Sequence, residues 1–166
     1  MTIQVDSREK QKAISGILRE FRTAGVNYYI SKLYVGDYMS LDNPRIVVDR
    51  KQNLTEICGN VCQQHERFRN ELIRAQKAGI KLIILCEHGQ GIMCLDDVLF
   101  WRNPREIVRK RVNGKWATVH QKVMQGDVLY KILCTMRRKY GVEFLFCDKS
   151  ETGKQIIHLL GGRNDG

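Results

Sequence analysis

This chain of 166 residues contains no apolar run of the roughly 18 or more residues that a membrane-crossing helix requires. Its start, Met1-Thr2-Ile3-Gln4-Val5-Asp6, lacks a basic stretch followed by an apolar one, so no secretory signal is read there. Both absences predict an intracellular protein, cytoplasmic in a microbial or viral setting and nuclear in a eukaryotic one. The six cysteines are then expected as free thiols rather than a disulfide framework. There is no internal repeat, low-complexity block or linker, and the length suits one domain over residues 1–166 with a sizeable core. Acidic residues are in deficit: 18 Asp and Glu against 28 Lys and Arg give a formal net charge of +10. Such a balance favours a polyanionic partner, because phosphate contacts release counterions. Charge alone separates neither DNA from RNA nor either from a membrane surface, and solubility is the competing explanation.

The apolar pattern alternates strand and helix signals. Ile3 to Val5 is a short strand, and Ser7 is the N-cap candidate of a helix with Ala13, Ile14, Ile17, Leu18 and Phe21 on one face. Gly25 ends it. Tyr28 to Leu33 is a second strand, followed by a limb opened by Gly36-Asp37-Tyr38 and a strand over Ile46 to Lys51. One long amphipathic helix is expected from Leu54 through Ile57, Val61, His65, Phe68 and Leu72 to Ala75. The unbroken run Lys81 to Cys86 reads as a buried strand. A motif core of about residues 1–90 is followed by a basic, loop-rich stretch at 101–122 and an α-β-α segment at about 125–160. A frayed tail is expected over Gly161–Gly166. The whole is an α/β domain.

Chemistry concentrates in two short elements. In Val48-Asp49-Arg50-Lys51 the strand period of two puts Asp49 and Lys51 on one face. Asp42-Asn43-Pro44 supplies turn chemistry that folds the chain back and brings Asp37 alongside Asp49. Ile46, Val47 and Val48 show no alternation, which implies a strand covered on both faces until it emerges at Asp49. Two carboxylates offer hard oxygen ligands to a divalent cation, and a neighbouring lysine offers a point charge beside a phosphate. The alternative is an ordinary polar strand end.

Val5-Asp6-Ser7-Arg8-Glu9, Gly36-Asp37-Tyr38 and Val48-Asp49-Arg50-Lys51, in that order, resemble the nuclease domain of the XPF family, whose signature runs D-x-R-E, then G-D, then E-R-K-x(3)-D. The resemblance implies a restriction-endonuclease-like fold of the PD-(D/E)-x-K class: a mixed central sheet flanked by helices. It implies Mg2+ or Mn2+ held by Asp37, Asp49 and the backbone carbonyl of Arg50, with Lys51 positioning or activating the attacking water. Asp6 and Glu9 would then join the acidic cluster, although stabilisation of a helix N-terminus explains either equally well. Arg8 would pair with that cluster or meet a phosphate. Arg67, or Arg69, would be the basic residue that the following helix offers to substrate, the rival being an Arg67–Glu71 pair within the helix. Two positions depart from the signature: Asp49 stands for glutamate, and Thr55 for the trailing aspartate, with Glu56 as a stand-in.

Three further groups stand out in the sequence. Arg102, Arg105, Arg109, Lys110, Arg111, Lys115 and Lys122, interleaved with Trp101, Trp116 and His120, suit phosphate contact plus stacking. A solvated surface is the alternative. Cys58, Cys62 and His65 share a helical stripe with zinc-like spacing, but core packing accounts for them better. Thr152-Gly153-Lys154 fails as a phosphate-binding loop, because Asp148 stands where the first glycine belongs and Gln155 replaces the Ser or Thr.

The expectation is a metal-dependent DNA endonuclease, structure-specific by analogy with the family. The alternatives are an inactive nucleic-acid-binding module and an RNA-processing nuclease. The family usually adds a helix-hairpin-helix module for which no segment here fits, so substrate choice is expected to come from this domain itself, from a homodimer or from a second subunit, with DNA as the partner.

Overall fold

A computed structural model describes residues 1–161 of the chain. The expectation for the tail beyond Gly161 lies outside them. Among the described residues eight strands form: β1 (Thr2–Val5), β2 (Asn27–Ile30), β3 (Tyr38–Ser40), β4 (Asn43–Lys51), β5 (Lys81–Cys86), β6 (Ile107–Val112), β7 (Lys115–His120) and β8 (Glu143–Phe146). Five α-helices accompany them: α1 (Gln11–Thr23), α2 (Leu54–Cys62), α3 (His65–Lys77), α4 (Gly126–Tyr140) and α5 (Thr152–Gly161). Six strands make a mixed sheet in the order β2-β1-β3-β4-β5-β8. β1–β3 and β3–β4 are antiparallel, whereas β1–β2, β4–β5 and β5–β8 are parallel. The expected mixed sheet flanked by helices is therefore observed.

Alternation along β4 divides the core. Val47, with Leu82, Ile84 and Cys86, packs against Leu54 and Ile57 of α2, Phe68 and Leu72 of α3, and Leu129 and Leu133 of α4. Val48, with Ile83 and Leu85, packs against Ile14, Ile17 and Phe21 of α1 and Ile156 and Leu160 of α5. Burial on both faces accounts for the unbroken apolar runs of β4 and β5. It also fixes the register, since a one-residue slip would drive Asp49 and Lys51 into the opposite layer.

Four local expectations are corrected. α1 begins at Gln11, with Ser7 to Glu9 forming a turn instead of its first helical residues. The second strand ends at Ile30 rather than Leu33. The single helix over residues 54–75 is two, with a break at Gln63-Gln64 where both N–H groups converge on the Gly59 carbonyl. The stretch drawn as loop-rich at 101–122 contains a hairpin of its own, β6–β7. Its two-residue turn, Asn113-Gly114, has φ of 50° and 79°, the left-handed pair that matches strand twist.

Asn103 roots that hairpin. Buried, it donates Nδ2 to the Met124 carbonyl at 3.0 Å, takes the Gln125 side chain on its N–H at 2.9 Å, and accepts the Arg105 N–H at 3.0 Å. Gln121 closes the stem by donating its N–H to the Glu106 carbonyl and its side chain to the Arg105 carbonyl.

Candidate active site

β3 ends its ladder with β4 at the pair Tyr38–Val48, so Asp37 sits just beyond the last paired residue. The Asp37 N–H still reaches the Val48 carbonyl at 2.9 Å, and its carboxylate accepts the Arg50 N–H at 2.9 Å. Gly36 makes this approach possible: its φ is +65°, and a Cβ there would lie 2.5 Å from Val47 Cγ1 and 3.1 Å from the Val48 carbonyl. One residue's N–H and C=O leave a strand on the same edge. The Arg50 carbonyl therefore faces the β3 side, past the end of that ladder, while the Lys51 carbonyl faces β5 and accepts the Glu87 N–H.

Asp49 and Lys51 share the layer of α2 and α3, as the strand period required. Their side chains are 4% and 11% exposed, and Lys51 Nζ lies 2.8 Å from Asp49 Oδ2. The ammonium also stands 5.8 Å above the Phe68 ring. Burial and the adjacent Asp49 carboxylate hold Asp37 well above the usual carboxylate range, with Glu9 adding to the effect. Burial pushes the Lys51 ammonium down, but Asp49 outweighs it and the net shift is upward, so Lys51 is a firm cation. Asp49 Oδ2 is buried and accepts no well-directed hydrogen bond despite the nearby ammonium.

These features suit a divalent cation. The donors are hard oxygens, one buried carboxylate oxygen is under-satisfied, and a positive charge would relieve the burial and the Asp49 charge that hold Asp37 above its usual range. Among the described residues no group of three His, Cys, Asp or Glu side chains is arranged for a metal. A cation here would draw on the two carboxylates and on main-chain oxygen.

The opposite face of β4 carries a second layer. Arg50 is buried and donates Nε to Glu9 at 2.8 Å and Nη1 to Glu87 at 3.0 Å. Tyr38 Oη donates to the same Glu9 oxygen at 2.9 Å. Glu9 is therefore held by Arg50 and Tyr38 rather than by a helix dipole. Asp6 is held likewise: Arg8 Nε at 2.7 Å, Arg8 Nη2 at 2.9 Å, and the N–H groups of Arg8 and Leu33 occupy its carboxylate. Its main chain is tied to the site, since the Asp6 N–H donates to the Asp37 carbonyl at 2.8 Å. Both acids brace the site, with their oxygens already engaged.

Glu87 and Glu71 were missed in the sequence. Glu87 lies one residue past β5, and its only signal was a charge ending an apolar run. Glu71 was read as an ion-pair partner of Arg67, yet its carboxylate accepts the Gly36 N–H at 3.1 Å. Arg67 is exposed one turn earlier on that stripe of α3. Core packing holds for Cys58 alone: Cys62 and His65 are exposed, and among the described residues no three such side chains are gathered for zinc.

The hairpin gathers the basic residues. Arg109, Lys110 and Arg111 lie on β6 and Lys115 on β7, with Arg102 and Arg105 before its base and Lys122 after it, all exposed. Trp101 departs from expectation: it is buried, edge-on to His88 at 6.2 Å, and belongs to the core.

A family model for the ERCC4 domain matches residues 5–160. The chain belongs to the ERCC4 domain family. Among solved structures it is similar to XPF from Aeropyrum pernix, at 18% identity and a TM-score of 0.61, over 96% of this chain and 63% of that one. It is also similar to the same archaeal XPF in complex with DNA, at 20% identity and a TM-score of 0.60, with the same coverage. The likeness identifies the fold as that of the XPF nuclease domain, and this ERCC4 domain spans less than two thirds of the XPF chain it matches. No curated protein sequence matches.

The departure at Thr55 has a local setting. Thr55 lies in the first turn of α2, where Asn53 caps the Glu56 N–H at 2.9 Å and Glu56 in return accepts the Gln52 N–H at 2.8 Å. The Glu56 side chain thus reaches back past the cap to the residue before it. It is near enough to help hold the Lys51 proton, but its carboxylate is committed to the helix end.

Proposed function

We propose that this ERCC4 domain is a metal-dependent DNA endonuclease that hydrolyses phosphodiester bonds. One observation carries the reading: Asp37, Asp49 and Lys51 converge, largely out of water, where β3 and β4 part. Asp37, Asp49 and the Arg50 carbonyl would hold Mg2+ or Mn2+. When bound, that ion supplies a Lewis acid for the phosphate and lowers the pKa of water. Lys51 remains an ammonium and faces the negative charge that develops on the phosphoryl group, a preorganised contact in a site of low dielectric. Arg50, clamped by Glu9 and Glu87, fixes the strand that presents both neighbours. Asp6 and Glu9 support from the layer behind. Arg67 and the basic hairpin hold the polyanion. A second copy or another subunit adds grip on DNA in this reading, which sedimentation of the protein–DNA complex tests.

The deciding assay presents single-stranded, duplex and forked DNA and RNA, each with magnesium, manganese or EDTA. DNA cut with either metal and spared in EDTA is the expected result. Preferential cutting of RNA favours the RNA-processing alternative, and binding without cutting favours an inactive module.

A further inference from the structure

The register of β6–β7 sorts its side chains onto two unlike faces. Arg111 pairs with Trp116, Arg109 with Thr118 and Ile107 with His120, and paired side chains project together. All six are exposed. Val108, Ala117 and Val119, on the other face, are half-buried. Trp116 is 62% exposed, and the contact that orients it is the Arg111 guanidinium, 5.8 Å from the ring centroid. An indole left this far in water contributes nothing to the core, so packing does not explain its presence.

Charge selects the occupant. Between Ile107 and Lys122 there is no acidic residue; Arg109 and Arg111 share the face of Trp116, while Lys110 and Lys115 extend the positive charge to the other face. A cationic face around an exposed aromatic is complementary to a polyanion that also offers flat rings, which describes nucleic acid. In a duplex the ring faces are covered by neighbouring pairs, so a side chain stacks only where bases are unpaired. The hairpin is stiffened by its left-handed turn and its Asn103 root. Trp101, near that root, packs on His88, whose Nδ1 accepts the Leu54 N–H at 3.1 Å. Leu54 follows Lys51 by three residues, so the root stands at the same end of the sheet as the carboxylates.

We propose that this face is a stacking site for an unpaired nucleobase, with Trp116 as the platform and Arg109, Arg111 and His120 as flanking phosphate contacts. The proposal rests on nucleic acid being the ligand, but not on catalysis. Trp116 is accessible while Trp101 is only 8% exposed, so intrinsic fluorescence reports on the hairpin. The full chain, kept in EDTA, is titrated with oligo-dT, oligo-rU and a blunt duplex of equal length. Saturable quenching by either single strand, and weaker quenching by duplex, is expected. Trp116→Ala should lower single-strand affinity about tenfold or more, and Trp116→Phe should retain most of it. Melting each variant against the parent separates lost stacking from lost fold. Absence of quenching, equal quenching by duplex, or unchanged affinity in a folded Trp116→Ala overturns the site. A protein that stacks in EDTA yet never cuts with metal keeps this site and sinks the endonuclease reading; one that cuts without quenching does the reverse.

Discussion

Asp37 accepts the backbone N–H of Arg50 at 2.9 Å, so one carboxylate is anchored to the strand that carries the other. The contact explains how a corner without regular pairing holds its geometry. It also leaves the Asp37 carboxyl beside Asp49, whose charge adds to burial in raising the cost of ionising Asp37.

Asp37→Asn should therefore abolish measurable manganese binding while leaving the fold intact, because it removes a ligand and a charge but keeps an acceptor for Arg50. Calorimetric titration decides this. Unchanged affinity in the folded variant would move the metal elsewhere.

Lys51→Met should lower the cleavage rate on the order of a hundredfold or more, since a preorganised cation at the transition state is lost. Lys51 is buried against Asp49, so metal-free protein should also melt lower, and saturating manganese should restore much of the loss. Near-parental cutting by a folded variant defeats the assignment.

Replacing Arg109, Lys110 and Arg111 together with Ala should weaken DNA binding and flatten its salt dependence. Each lost phosphate contact removes roughly 0.7 to 0.9 from the log–log slope. Filter binding at several salt concentrations measures it, and an unaltered slope would detach this strand from phosphate.

Glu87 and Arg50 side chains are only 2% and 4% exposed, so Glu87→Ala leaves a buried guanidinium short of a partner. A loss of about 3 kcal/mol is expected in urea unfolding. Glu87→Gln keeps an acceptor and should cost markedly less. Equal losses would mean that shape, rather than the ion pair, matters there.

Burial pushes the Asp6 carboxyl up, but hydrogen bonds from the Arg8 side chain and from the N–H groups of Arg8 and Leu33 leave it below its usual range. A lowered folded-state value contributes stability that is complete above the usual carboxylate range and lost as pH falls through the lowered value. Asp6→Asn should cost about 1–2 kcal/mol at neutral pH, Arg8 being half in water. The gap should close as the parent is acidified below about pH 4. Urea unfolding at both extremes tests the sign, and a gap independent of pH contradicts it.

Residue order by itself determined the elements whose cause is local. The strand period put Asp49 and Lys51 on one face, apolar runs marked β4 and β5 as covered on both sides, and Gly36-Asp37 set the corner. The hairpin was legible too, through Asn113-Gly114 between short strands, but the charge of that stretch suggested a loop. Tertiary structure decided the rest. The apolar stripe continues across Gln63-Gln64 with no glycine or proline to stop it, so the helix break was not visible locally. Glu9 and Arg50 are 41 residues apart and Arg50 and Glu87 37, joined only because sheet order lays their elements together. Packing likewise buried Trp101 and left Trp116 in water. Periodicity fixes the face a side chain takes, but its partner depends on which elements meet, and that is settled by burying both faces of the sheet at once.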